Sequence, residues 1–158
     1  MRPSKQATLL FLITEDQVLI AMKKRGFGAG RWNGVGGKPE AGEALMDTAV
    51  REAEEEIRVT PLQPEKVAEL DFFFPAEKSD NNQTVHVYLC EKWDGEPIET
   101  EEMSPKWVLK SEIPFDEMWS DDKVWLPLVL VGQKIRASFW FDHEDGFTRH
   151  ELSEVKSF

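Results

Sequence analysis

The chain has 158 residues, 41% of them hydrophobic, a formal net charge of −11 and a single cysteine, Cys90. That hydrophobic fraction supports a packed core and excludes a disordered chain. No apolar run approaches the roughly 20 residues needed to cross a bilayer, and a lone cysteine excludes an internal disulfide framework. The negative charge makes most of the surface repel a polyanion, which argues against stable nucleic-acid binding. The expectation is one domain over residues 1–158, a cytoplasmic monomer acting on a small molecule, without membrane association and without a secretory leader in residues 1–8.

Residues 8–13 and 18–22 read as strands around Glu15 and Asp16, a predicted hairpin. Residues 23–39 are rich in glycine and basic side chains and predict a long loop, which in a compact domain tends to be functional. Residues 44–57 predict a helix, with Glu43 near its start and Met46, Ala49, Val50, Ala53 and Ile57 on its core side. Residues 67–74 and 84–92 predict strands separated by a polar loop at 77–83, and residues 107–109 a short strand. Residues 121–131 predict a second helix with Asp121 or Asp122 as N-cap. Residues 134–142 and 147–152 predict a last hairpin around Glu144, Asp145 and Gly146. Strands interleaved with helices predict a mixed α/β (α+β) domain.

The acid is concentrated. Glu52, Glu55 and Glu56 fall at i, i+3 and i+4, so their carboxylates share one helix face. Like charges at that spacing destabilise a helix by a few tenths of a kcal/mol per pair. Arg51 and Arg58 are near in sequence but point at least partly elsewhere on the wheel, so a divalent ion is the better partner. The plain alternative, a solvated acidic face, is the commoner meaning of a glutamate run taken alone. Gly36 and Gly37 ahead of the helix, Glu43 at its entry and Arg51 before the glutamates weigh against it.

Gly37, Glu43, Arg51, Glu52, Ala53, Glu55, Glu56 and Val59 resemble the Nudix signature in register. One position departs: the signature glycine is Arg58 here, where a left-handed backbone would cost about 1 kcal/mol. The resemblance implies a Nudix fold, a mixed β-sheet between helices, and a loop–helix–loop that holds Mg2+ (Mn2+ substituting) against a diphosphate. Carried over, Glu52, Glu55, Glu56 and Glu102 become metal ligands with the Gly36 carbonyl, Arg51 orients a glutamate, and Glu43 braces the loop. The general base stays open among Glu56, Glu102 and a metal-activated water.

The basic segment at 23–34, the segment at 115–122 with Trp125, and Glu102 with Met103 resemble animal-type hydrolases of oxidised purine nucleoside triphosphates. That resemblance implies a base pocket built from Thr8, Phe27, Asn33, Phe72, Phe74, Met103, Trp119, Asp121, Asp122 and Trp125, with Lys23 at the phosphates. Trp119 offers a stacking face, and Asn33 offers a donor and an acceptor. Two buried adjacent acids, Asp121 and Asp122, would share a proton. Plain readings stand beside these: Trp119 and Trp125 as core, the two aspartates as a helix cap, Asn33 as a turn residue beside Gly34. The alternatives for function are a Nudix hydrolase of another nucleoside diphosphate derivative, such as a nucleotide sugar or dinucleotide, and a non-catalytic Nudix-fold binding module.

Overall fold

The computed structural model describes residues 2–158; Met1, the start of the segment read as lacking a leader, lies outside the described residues. In chain order the strands are β1 (Gln6–Leu12), β2 (Gln17–Lys23), β3 (Trp32–Asn33), β4 (Thr60–Leu62), β5 (Glu65–Phe73), β6 (Gln83–Cys90), β7 (Lys92–Asp94), β8 (Met103–Leu109), β9 (Lys134–Phe141) and β10 (Phe147–Val155), with helices α1 (Leu45–Ile57) and α2 (Asp122–Leu130).

Alternation along β1 and β6 sets the layers, because successive strand side chains point to opposite faces. Ala7 and Phe11 of β1, with Val85, Val87 and Leu89 of β6, pack on the side of Trp125, Leu126 and Val129 from α2. Leu10 and Leu12, with Tyr88 and Cys90, pack on the other side against Ala49, Ala53 and Ile57 from α1. The result is a mixed five-stranded sheet in the order β1-β6-β5-β9-β10, lying between the two helices. β1 runs parallel to β6 and β5 parallel to β9, whereas β5–β6 and β9–β10 are antiparallel. A second sheet, β3-β2-β8, carries the glycine-rich loop to the edge of the first.

The predicted hairpin at residues 8–22 does not form. β1 and β2 belong to different sheets, and the turn between them is closed by an isolated bridge from Ile13, just past β1, to Val18. β1 instead pairs along its whole length with β6, a partner no local pattern can announce. β8 begins earlier than the predicted short strand; Pro105 breaks the strand signal, and an edge position tolerates its missing N–H. Most of the polar loop at 77–83 lies in a 3-10 turn, Ala76–Asn81. On α1 the expected core residue Met46 is 44% exposed, while Glu56 is buried.

Arg58 ends α1 at φ 63°, ψ 33°, a left-handed residue whose N–H donates to the Glu54 carbonyl at 3.2 Å. The signature departs in residue type and keeps the conformation. Arg58→Gly is therefore expected to raise stability by about 1 kcal/mol, because glycine adopts this backbone without the Cβ clash. Urea unfolding at a fixed slope checks it; a lower midpoint would mean that the Arg58 side chain supports the fold.

Candidate active site

The loop before α1 is pressed directly onto β1. Thr8 N–H donates to the Gly37 carbonyl at 2.8 Å, and the Thr8 hydroxyl donates to that carbonyl and accepts from Gly37 N–H at 3.2 and 3.3 Å. A Cβ on Gly36 would stand 1.9 Å from the Thr8 carbonyl oxygen, so only glycine fits there. A Cβ on Gly37 would stand 2.5 Å from Glu52 Cδ, so glycine also lets the helix carboxylate lie against the loop. Gly36 N–H donates to Glu56 Oε1 at 2.9 Å. Thr8 thus fixes the loop as well as lining the neighbouring cleft.

Arg51 does not point away from the acids. It donates to Glu43 at 2.8 and 3.0 Å, to Glu52 at 2.9 Å, to Glu55 at 3.3 and 3.4 Å and to the Lys38 carbonyl at 3.1 Å. Its long side chain bends back across a turn that a helical wheel treats as separate. Glu43 is held down to about 2 by the Arg51 hydrogen bonds, then by the Thr48 hydroxyl and Glu40 N–H. Among the described residues no three acidic, histidine or cysteine side chains converge on one point, since Arg51 engages Glu52 and Glu55 while Glu56 turns to Gly36.

The charges nevertheless crowd. Burial pushes Glu56 up to about 8 against the Gly36 hydrogen bond, and Glu52 and Glu102 add to the rise. Burial also raises Glu52, opposed by Arg51 and helped by Glu55 and Glu102. The Glu102 carbonyl accepts from Lys24 N–H at 2.9 Å, and Thr100 donates to the Glu56 carbonyl at 2.7 Å, which ties this loop to α1. Carboxylate oxygens that raise one another are a donor set suited to a hard divalent cation.

Beside this cluster lies a cleft of about 320 Å³. Its walls include Thr8, Lys23, Phe27, Asn33, Phe72, Phe74, Met103, Trp119, Asp121, Asp122 and Trp125, together with Gly36, Gly37 and Lys38. Phe27 and Phe74 lie 5.3 and 6.4 Å from the Trp119 ring, and Phe74 stacks on Phe141 at 5.0 Å. Asn33 accepts the Gly34 N–H at 2.9 Å through Oδ1, so its amide N–H2 is the end left to donate.

Asp121 takes the N-cap position of α2 but makes no capping bond. Its Oδ2 accepts instead from Trp125 Nε1–H at 2.7 Å. Trp125 is fully buried and meets Phe11 edge-on at 6.3 Å, so it supports the cleft wall from the core. Asp121 and Asp122 are each 2% exposed, and Asp122 Oδ2 is buried without a hydrogen-bond partner among the described residues. Burial raises both acids, with the Asp121 charge adding to the rise at Asp122 and the Trp125 hydrogen bond restraining it at Asp121.

The NUDIX domain family model matches residues 3–129. The chain belongs to the Nudix family. This Nudix chain is 40% identical over 156 residues to an oxidized purine nucleoside triphosphate hydrolase of Danio rerio, covering 99% of both chains. It is also 40% identical over 158 residues to an oxidized purine nucleoside triphosphate hydrolase of Mus musculus, covering 100% of both. Among solved structures it is similar to a mutator MutT protein from Bacillus halodurans, with a TM-score of 0.83 and 26% identity over 94% of this chain and 97% of that one.

Several lining residues of the Nudix cleft escaped sequence reasoning. Phe141 reaches it from β9, which pairs with β5 far away in sequence, and Gln83 from the start of β6, opposite Phe72 on the neighbouring strand. Lys38 lines it directly after Gly37 and was signalled only as one more base in the loop. Arg31 sits with its guanidinium 3.9 Å from the Trp119 ring centroid, a contact no spacing rule reveals. No helix is long and apolar enough to cross a membrane among the described residues.

Proposed function

We propose that this Nudix enzyme hydrolyses oxidised purine nucleoside triphosphates, of the 8-oxo-dGTP and 2-oxo-dATP type, to the monophosphate and pyrophosphate. The observation that carries the reading is the buried Asp121–Asp122 pair in an aromatic cleft beside the acid cluster. Full-length likeness to two animal hydrolases of oxidized purine nucleoside triphosphates supports it. Residues 1–158 act as one domain, a cytoplasmic monomer that removes damaged precursors from the nucleotide pool; the −11 charge favours a small nucleotide over a nucleic acid.

Glu52, Glu55 and Glu56, with Glu102 and the Gly36 carbonyl, are the residues that would hold Mg2+, with Mn2+ substituting. When bound, the metal offsets phosphate charge and makes a water more acidic. Arg51 keeps Glu52 and Glu55 in place by charge-assisted hydrogen bonds. Lys23 offers a positive charge at the cleft wall for the phosphates. Trp119 offers a face for the base to stack on, and Phe27, Phe72 and Phe74 close the other sides. Asp122, with its rise from burial and from Asp121, keeps a proton to donate to a purine carbonyl. Asp121, held as an acceptor by Trp125, takes a hydrogen bond from a ring N–H or amino group. Moving the proton between them lets one cleft take oxidised guanine and oxidised adenine.

The test is a magnesium-containing panel of oxidised and normal purine triphosphates, a nucleotide sugar and a dinucleotide, read as pyrophosphate or phosphate release. Oxidised purine triphosphates should give the highest kcat/KM; preference for the nucleotide sugar or dinucleotide would overturn the assignment. Asp121→Asn and Asp122→Asn should each change the ratio of oxidised-guanine to oxidised-adenine kcat/KM by about 5-fold or more, since an unpaired buried polar group costs about 1–3 kcal/mol. An unchanged ratio in both variants would leave the pair a purely structural role.

A further inference from the structure

The turn of the C-terminal hairpin reaches back to the cleft. Asp142 N–H donates to the Gly146 carbonyl at 2.7 Å, and Asp142 Oδ1 accepts from Glu144 and Gly146 N–H at 2.8 and 3.1 Å. Within that tight turn Asp145 adopts φ 63°, a left-handed conformation that aspartate tolerates better than most residues. The Asp145 carboxylate pairs with Arg31 Nη2 at 3.2 Å, and its carbonyl accepts from the Ser120 hydroxyl at 3.1 Å. Both contacts flank Trp119. Arg31 sets its guanidinium 3.9 Å from the indole centroid. A Cβ on Gly28 would stand 3.3 Å from Trp119 Nε1, so the loop that carries Arg31 also closes on the ring edge.

We propose that the Arg31–Asp145 ion pair is a positioning device that fixes the plane of Trp119 for purine stacking. The inference rests on reading Trp119 as the base-stacking surface. The two side chains are 34% and 31% exposed, so the ion pair taken alone contributes little to stability. Its effect comes from geometry. A planar guanidinium stacks on an aromatic face and keeps its fork turned to a carboxylate, which an ammonium cannot do. Asp145 sits on a turn braced by Asp142, so its carboxylate anchors the Arg31 guanidinium from a hydrogen-bonded turn. A ring held in place before the nucleotide arrives lowers the ordering cost of binding. The pair acts through Trp119 and lies apart from the carboxylate cluster, so it should govern KM and leave kcat alone.

The experiment compares KM and kcat for an oxidised purine triphosphate in Arg31→Ala, Arg31→Lys, Asp145→Asn and the Arg31→Ala/Asp145→Asn double variant, each alone and in a Trp119→Ala background. Arg31→Ala should raise KM by about 5-fold or more with kcat within about 2-fold, matching a cation–π contact of about 1 kcal/mol. Arg31→Lys should recover less than half of that loss, Asp145→Asn should show a smaller rise, and the double variant should match Arg31→Ala alone. In the Trp119→Ala background all these effects should vanish. Additive losses, a fall in kcat, or a KM effect that persists without Trp119 would each overturn the proposal. A second readout is Trp119 emission, taken as the difference from Trp119→Phe, with and without Arg31→Ala. If the wild-type enzyme ignores oxidised purines, the substrate assignment fails, and this emission difference still decides whether Arg31 holds the ring. No difference would sink the proposal.

Discussion

In Glu56→Gln, turnover falls by about 10²–10³-fold on every nucleotide substrate, the scale of losing one electrostatic group that acts on the reacting phosphate. The substitution is nearly isosteric. Glu56 is 3% exposed and accepts the Gly36 N–H at 2.9 Å, a bond the glutamine carbonyl can keep. What changes is charge. Burial pushes the carboxyl up to about 8, so near neutral pH the fold bears the cost of an ionised Glu56 or of the proton that neutralises it, and a neutral amide avoids both. Thermal stability should therefore hold or rise while activity collapses. That opposite movement separates a functional carboxylate from a structural one. Initial rates at saturating magnesium and a melting curve check it together; a near-normal rate would take Glu56 out of the catalytic cluster.

Trp119→Ala produces the second large effect, on binding. Base–aromatic stacking is worth about 1–3 kcal/mol, which translates to a rise in KM of about 5- to 150-fold. The loss should be common to oxidised and normal purines, since the ring face is read without regard to the edge groups. Phe27, Phe74 and Phe141 all meet the Trp119 ring, so the cleft also loses its shared partner and becomes less ordered. Trp119 is only partly buried, in contrast to Trp125, and the fold should survive. Steady-state kinetics on two oxidised and two normal purine triphosphates decide it; an unchanged KM would assign stacking to another ring.

The site was legible where chemistry and spacing coincide. Glu52, Glu55 and Glu56 on one turn of α1, the paired glycines ahead of it, and the aromatic and acidic residues near α2 all carry their meaning in local order. The mixed α/β class was readable from strands interleaved with two helices, whereas the sheet between helices came from the Nudix resemblance, since β1 and β6 are buried on both faces and show no simple polar–apolar alternation. What escaped depends on distance along the chain. The pairing of β1 with β6 overrides the expected hairpin, and Arg51 bends into a cluster that a wheel separates from it. Asp121 looked equally suited to capping α2; only the structure shows Trp125 Nε1 claiming its carboxylate. Arg31 and Phe141 reach the cleft through tertiary contacts and left no pattern in the sequence.

The parallel pairing of β1 with β6 has a consequence for biosynthesis. Gln6 meets Thr84 and Leu12 meets Cys90, so the first strand, bridged at Leu10 to Val35 on its other edge, joins the five-stranded sheet only after β6 has left the ribosome. The seat for the Gly36–Gly37 loop is the backbone of β1 at Thr8, and it is unfinished until then. Contacts this distant in sequence form slowly, because a long loop must close before they contribute. A nascent chain halted before β6 therefore carries the complete acidic helix and a seat on a strand not yet held in its sheet. Competence arrives late in translation, when β6 slides in beside a strand that was made first.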